Sequence, residues 1–154
     1  MPRIVLLALL LGLRHSREAT PLAPPRLRHV LTQAHVSIFG KPPSAARLAL
    51  AEAQVRLEGS GGACHNLGSI SAAKGQPWCP AGRQRMAWYP THAAGAYAYW
   101  NFLKRKCPSA LSAFDSGDPA ASAHALKKCG YFEASEATYA NGLTRVLKVQ
   151  QGPR

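Results

Sequence analysis

The sequence is poor in acidic residues. Its 154 residues include 7 Asp and Glu against 19 Lys and Arg, so the formal net charge is +12. The long stretch 59–114 contains no acid at all, and it therefore cannot supply a pair of neighbouring carboxylates. A surface of this charge attracts polyanions, but the basic residues are spread along the chain and not gathered in a tail. We expect generic affinity for anionic polymers and no specific nucleic-acid site.

Cysteine is also scarce, and its spacing is not that of a metal site. There are 4 cysteines, no two of them separated by two residues, and His65 does not complete a zinc pattern. No metal and no cofactor are therefore expected. Of the alternative disulfide pairings, the most local joins Cys64 to Cys79 and Cys107 to Cys129. Free thiols remain the alternative in a reducing compartment.

The apolar run 4–13 is too short to span a membrane. As a helix it would extend about 15 Å, half of a hydrocarbon core. Its length matches the apolar region of a signal peptide, although no good small-x-small cleavage site follows. The alternative is a helix that packs on the domain or on a partner protein. We divide the chain into an apolar segment with a Pro-containing link (1–27), one domain (28–150) and a tail (151–154).

A helix is predicted over residues 45–57, with Ser44 as its N-cap and Gly59 just beyond its end. Glu58 then lies at the helix C-terminus, where the dipole favours the neutral acid, as does partial burial. A carboxyl group that keeps its proton near the working pH suits a general acid. The alternative is an ordinary solvated glutamate.

The remaining chain predicts a mainly α fold. Thr91, the pair Asp118 and Pro119, and Ser135 are typical helix starts. Residues 63–90 are rich in Gly, Pro and Ser, which suits loops or a small hairpin.

Several segments, in their order and spacing, resemble the lysozyme-like superfamily, near the bacterial and phage glucosaminidase and muramidase group that cleaves peptidoglycan. These segments are residues 34–44, 53–58, 63–70, 88–96, 99–103, 125–132 and 139–143. The resemblance implies a mainly α, lysozyme-like domain with a small loop or hairpin lobe beside the cleft. It also implies that Glu58 is the catalytic acid.

By the same resemblance, further residues would bind substrate or shape the cleft: Gln54, Asn66, Trp88, Tyr131 and Tyr139. Gln54 precedes Glu58 by one helical turn and would orient it. For Asn66 the alternative is a side chain that holds the local turn. For the two tyrosines the alternative is packing in the core.

A single acid is sufficient for two routes of glycan cleavage. A lytic transglycosylase uses one acid and the sugar's own hydroxyl, and in other glycosidases the N-acetyl group of the substrate is the nucleophile. Glu52 departs from the family pattern and is more simply a solvated helix residue than a second acid. The candidate bases are Asp115, Asp118, Glu133 and Glu136, although Asp118 and Glu136 are more simply helix N-terminal residues.

The expected function is cleavage of the glycan strand of peptidoglycan by a muramidase, glucosaminidase or lytic transglycosylase. Peptidoglycan and anionic wall polymers are the expected partners, and a protein could bind the run 4–13. The expected location is outside the cytoplasm: periplasm, secreted or phage virion. The alternative is a non-catalytic wall-binding or structural virion protein that retains the lysozyme-like fold. A nucleic-acid-binding protein is supported by charge alone.

Overall fold

The structure, a computed structural model, describes residues 22–59, 63–81 and 84–152. The apolar run 4–13 lies outside these ranges, so both of its interpretations remain predictions. The described residues form six α-helices and one two-stranded hairpin, and helix accounts for 65% of the structure. The predicted mainly α class is confirmed. Within these ranges no helix has both the length and the apolar character needed to cross a membrane.

Four of the described helices begin at the residues predicted as helix starts, and the helix predicted over residues 45–57 has those bounds. The elements are α1 (Pro24–Phe39), α2 (Ala45–Leu57), a 3-10 turn (Ala63–His65), β1 (Trp78–Ala81), β2 (Gln84–Ala87), α3 (His92–Lys106), α4 (Pro108–Ser116), α5 (Pro119–Lys128) and α6 (Glu136–Gln151). Four helices start at side chains that accept a backbone N–H at 2.8 to 3.1 Å, namely Ser44, Thr91, Asp118 and Ser135. α1 begins at Pro24, inside the stretch predicted as a link, because proline suits the first turn of a helix.

Helix α2 is the centre of the domain. It packs against α1, α4 and α6, and its residues 50–55 are all buried. Glu52, only 2% exposed, accepts hydrogen bonds from Arg28 Nε at 3.0 Å and Nη2 at 2.8 Å. The prediction that Glu52 is solvated was therefore wrong. Neighbouring helices cover both sides of α2, and a buried carboxylate needs such a partner.

Two disulfides join the segments around this centre, in the most local of the predicted pairings. Cys64–Cys79 ties the 3-10 turn to β1, with Cα atoms 6.0 Å apart. Cys107–Cys129 ties the junction of α3 and α4 to the C-terminal end of α5, with Cα atoms 5.5 Å apart. The small hairpin lobe and the helical part of the domain therefore each contain one covalent cross-link.

Helix α3 approaches the 3-10 turn so closely that only glycine fits at position 95. A Cβ atom there would overlap the backbone carbonyl oxygen of His65. Gly142 of α6 faces a softer neighbour, since an added Cβ would lie 2.9 Å from Cδ1 of Leu57. The first contact involves backbone, which cannot move aside without shifting the turn.

A fully buried histidine links α1 to α2. The Nδ1 atom of His35 lies 2.8 Å from the backbone oxygen of Lys41, and its Nε2 atom lies 3.1 Å from Arg47 Nη1. Arg47 also donates from Nε to Asp115 at 2.9 Å. Neutral His35, with its proton on Nδ1, satisfies both neighbours. A second proton on Nε2 would face the guanidinium.

The close approach at Gly95 predicts a large loss of stability for Gly95→Ala. We expect the free energy of unfolding to fall by more than about 2 kcal/mol, because the added methyl group meets backbone. In the matched variant Gly142→Ala, the mobile Leu57 side chain and the better helix propensity of alanine keep the change within about 1 kcal/mol. Urea unfolding of both variants measures the difference. Equal losses would contradict the account of position 95.

The buried histidine predicts that acid destabilises the protein. Burial, followed by the nearby charge of Arg47, lowers the pKa of His35, while the bond to Lys41 acts in the opposite direction. The unfolded chain therefore binds a proton more readily, and the free energy of unfolding falls as the pH drops below about 6.5.

The share of His35 in this pH dependence can be measured, since burial also lowers the pKa of His92. Urea unfolding at pH 7, 6 and 5 should give a shallower acid slope for His35→Asn than for wild type, by at most about 1.4 kcal/mol per pH unit. The exposed His29 provides the matched control, because His29→Asn should keep the wild-type slope. An unchanged slope in His35→Asn would refute the assignment.

Candidate active site

One cavity of the described structure contains the predicted acid. Its volume is about 520 Å³, within the range of small-molecule sites. Its walls come from the end of α2, the loop after the 3-10 turn, β2, α3 and the loop between α5 and α6. The lining residues are Glu58, Gly68, Ser69, Ile70, Ser71, Gln84, Phe102, Gly130, Tyr131, Phe132 and Glu133.

Glu58 is half-buried and held by neutral hydrogen-bond donors. The hydroxyl of Tyr139 donates to its Oε1 at 2.6 Å, and Ser69 Oγ donates to its backbone oxygen at 3.2 Å. In the described residues no Lys, Arg or His forms a salt bridge with Glu58. Burial raises the pKa of Glu58, and the hydroxyls of Tyr139 and Ser69 oppose that rise in part. The group therefore keeps its proton to a higher pH than an ordinary glutamate does.

A chain of buried hydrogen bonds positions Tyr139. The hydroxyl of Tyr99 donates to Gln54 Oε1 at 2.6 Å, and Gln54 Nε2 donates to the oxygen of Tyr139 at 3.4 Å. Gln54 is fully buried, and its side chain is connected to the Glu58 carboxyl group through Tyr139. Burial and the nearby Glu58 carboxylate raise the pKa of Tyr139, so its hydroxyl remains a donor.

This arrangement decides which oxygen of Glu58 carries the proton. Oε1 accepts the Tyr139 hydroxyl, and the carbonyl oxygen of a carboxylic acid is its better acceptor. The proton of the neutral acid is therefore carried on Oε2. A side chain with one oxygen fixed by the core and one free to donate has the form of an oriented proton donor.

Of the other predicted residues, Tyr131 lines the cavity, and Asn66 holds the loop whose residues 68–71 line it. The hydroxyl of Tyr131 donates to the Gly68 carbonyl at 2.6 Å. Asn66, 5% exposed, donates to the carbonyl groups of Ile70 and Ala87 at 2.7 and 3.0 Å. Its Oδ1 accepts the Ile70 N–H at 2.9 Å. These contacts favour the turn-holding role of Asn66 over direct contact with a substrate.

Two other residues of interest in the sequence lie elsewhere. Trp88 follows β2 and is half-buried, but it is not one of the described residues that line this cavity. Glu52 lines a separate cavity of about 480 Å³ between α1, α2 and α6. Both of its oxygens accept from Arg28 there, so Glu52 is not available as a proton donor to a ligand.

The structure adds residues to the cavity that sequence reasoning did not place there. Phe132 stacks on Tyr139, with ring centroids 3.8 Å apart and an interplanar angle of 4°. Glu133, so far only one of several candidate bases, lines the same cavity as Glu58. Phe132 directly follows Tyr131 in segment 125–132, one of those that resemble the lysozyme-like family. This position next to a predicted cleft residue could have indicated Phe132. Phe102 belongs to another such segment, at residues 99–103.

A metal centre is not built into this part of the chain. The described residues contain no group of three or more His, Cys, Asp or Glu side chains that could hold an ion.

The chain matches no protein-family model, no curated protein and no solved structure. The resemblance to lysozyme-like enzymes therefore remains a prediction that depends on this chain's own residues.

The Tyr139 hydroxyl predicts how the acidity of Glu58 responds to mutation. Tyr139→Phe removes a donor that stabilises the carboxylate, so the pKa of Glu58 should rise further. A carbon-13 NMR titration of the Glu58 carboxyl group measures the change. Tyr97 is 49% exposed, and Tyr97→Phe should leave the titration unchanged. A fall of the Glu58 pKa in Tyr139→Phe would contradict the assigned hydrogen bond.

Proposed function

We propose that this protein cleaves the glycan strand of peptidoglycan, as a muramidase, glucosaminidase or lytic transglycosylase, with Glu58 as general acid. The observation that carries the proposal is the half-buried Glu58 in a ligand-sized cavity, with a raised pKa and, among the described residues, only neutral donors around it. The segments that resemble lysozyme-like enzymes, in their order along the sequence, indicate the substrate class. The lysozyme-like form of the helical domain is part of the same proposal.

In the proposed reaction Glu58 protonates the glycosidic oxygen as the bond to the anomeric carbon breaks. The proton comes from Oε2, while Tyr139 holds Oε1. The new carboxylate is stabilised by the Tyr139 hydroxyl, which strengthens as a donor when its partner becomes charged. The acid therefore has a fixed orientation before reaction and a stabilised product state.

The surface and the cross-links are compatible with action at the cell wall. A net charge of +12 attracts the anionic polymers and acidic peptide stems of the wall. Two disulfides persist in oxidising compartments such as the periplasm, the virion surface or the extracellular medium. The same charge favours the second candidate, a wall-binding or virion protein without catalysis.

Digestion of purified sacculi tests the enzymatic proposal. Wild type should release soluble muropeptides, and Glu58→Gln should lower the rate at least about 100-fold, because it cannot donate the proton. Glu136 is exposed at the start of α6, and Glu136→Gln makes the same change outside the cavity. This control should keep the wild-type rate, with released fragments measured by mass spectrometry.

Two results would contradict the enzymatic proposal, and each has a different meaning. Full activity in Glu58→Gln would remove Glu58 from the mechanism. No release by wild type, from sacculi that a control lysozyme digests, would favour the wall-binding protein. Salt-dependent sedimentation with intact sacculi would then measure its binding.

A further inference from the structure

A second acidic residue, from a different element, lines the cavity around Glu58. Glu58 comes from the end of α2, and Glu133 comes from the loop between α5 and α6. Their surroundings differ, since Glu58 is half-buried whereas Glu133 is exposed. Inverting glycosidases, whose second carboxylate activates water, need such unequal environments: one carboxyl group retains a proton and the other meets water.

The other described acids are occupied by partners of their own. Each accepts a hydrogen bond or ion pair away from the cavity: Glu52 from Arg28, Asp115 from Arg47, Asp118 from the Ala120 N–H, and Glu136 from His124. In the described residues, the side-chain carboxylate of Glu133 has no such partner. Glu133 is therefore the available second carboxylate at this cavity.

The loop that carries Glu133 is anchored and connected to the acid. The Lys127 ammonium group donates to the backbone oxygens of Phe132, Glu133 and Ala134 at 3.3, 2.8 and 2.8 Å. Phe132 stacks on Tyr139, which holds Glu58. The backbone of Glu133 is thereby fixed relative to the hydrogen bond that orients the acid.

We propose that Glu133 is the general base of a hydrolytic reaction in which Glu58 is the acid. The inference rests on the proposed function. The Glu133 carboxylate removes a proton from water as the water oxygen bonds to the anomeric carbon. The glycosidic bond breaks, and its oxygen takes the proton of Glu58. The products are a reducing end and a free hydroxyl, and solvent then returns the proton from Glu133 to Glu58.

Product analysis with wild type, Glu133→Gln and Glu136→Gln tests the inference. Sacculi are digested and the fragments are reduced at once with borohydride, so that mass spectrometry separates reducing ends from 1,6-anhydro ends. Wild type should give reducing ends. Glu133→Gln should form them at least about 100-fold more slowly, while Glu136→Gln stays within about twofold.

A second variant separates a catalytic role of Glu133 from a structural one. Glu133→Ala removes the carboxylate and leaves room for a small anion. Added azide should attack the anomeric carbon directly and give a glycosyl azide, which mass spectrometry identifies. A variant that is inactive only because its loop has moved gains nothing from azide.

The outcomes separate the inference from the proposed function. Anhydro products from wild type, or a wild-type rate in Glu133→Gln, would overturn the role of Glu133 and leave a single-acid enzyme. Loss of activity in Glu133→Ala without azide rescue would also overturn it. No cleavage by wild type would overturn the proposed function, and the role of Glu133 with it.

Discussion

The side chain of Gln54 is the interaction on which the site depends. It is fully buried on the central helix α2, where an unpaired amide would cost about 1 to 3 kcal/mol. Its oxygen accepts from Tyr99 of α3, and its nitrogen donates to Tyr139 of α6. Satisfying one buried amide therefore orients three helices. Because the Tyr139 oxygen accepts from Gln54, its hydroxyl proton is available to donate to Glu58. The core therefore sets the position of the acid.

Glu52 and Glu58 show how partners decide what a buried carboxyl group can do. Both belong to the α2 region and both are withdrawn from water. Glu52 lies against Arg28, and its negative charge is balanced where it is formed. Among the described residues the carboxyl group of Glu58 accepts from a hydroxyl and pairs with no cation, so burial raises its pKa. The charged partner gives Glu52 a structural role, and burial without such a partner gives Glu58 the raised pKa that its proposed role as an acid requires.

The features that the sequence predicted are local ones. A Ser44 or Thr91 cap depends on a backbone N–H three residues away, so the helix starts could be predicted from short patterns. The disulfide pairing that joins the nearest cysteines in sequence was also confirmed. The Glu52 partner lies 24 residues away in sequence and that of Gln54 lies 45 away. Such contacts are set by helix packing, which the pattern of one segment does not contain.

In the candidate site, too, the locally determined features could be predicted and those that depend on packing could not. Glu58 could be singled out because a helix end and glycines surround it in sequence. Glu133 could not be separated from the other late acids, since its place at the cavity depends on how the loop after α5 folds back. Trp88 was expected in the cleft from its segment alone, and it lies outside the described lining of the cavity.

Burying an acid without a cation costs folding free energy, and this cost favours catalysis over simple binding as the proposed role of the site. A protein that only adheres to an anionic wall needs exposed cations, and this chain has many. It does not need a half-buried acid without a cation, which opposes folding whenever the acid is charged. Nor does it need the Tyr99, Gln54 and Tyr139 bonds that fix one oxygen of that acid. Preorganised, costly groups of this kind are typical of reactive sites.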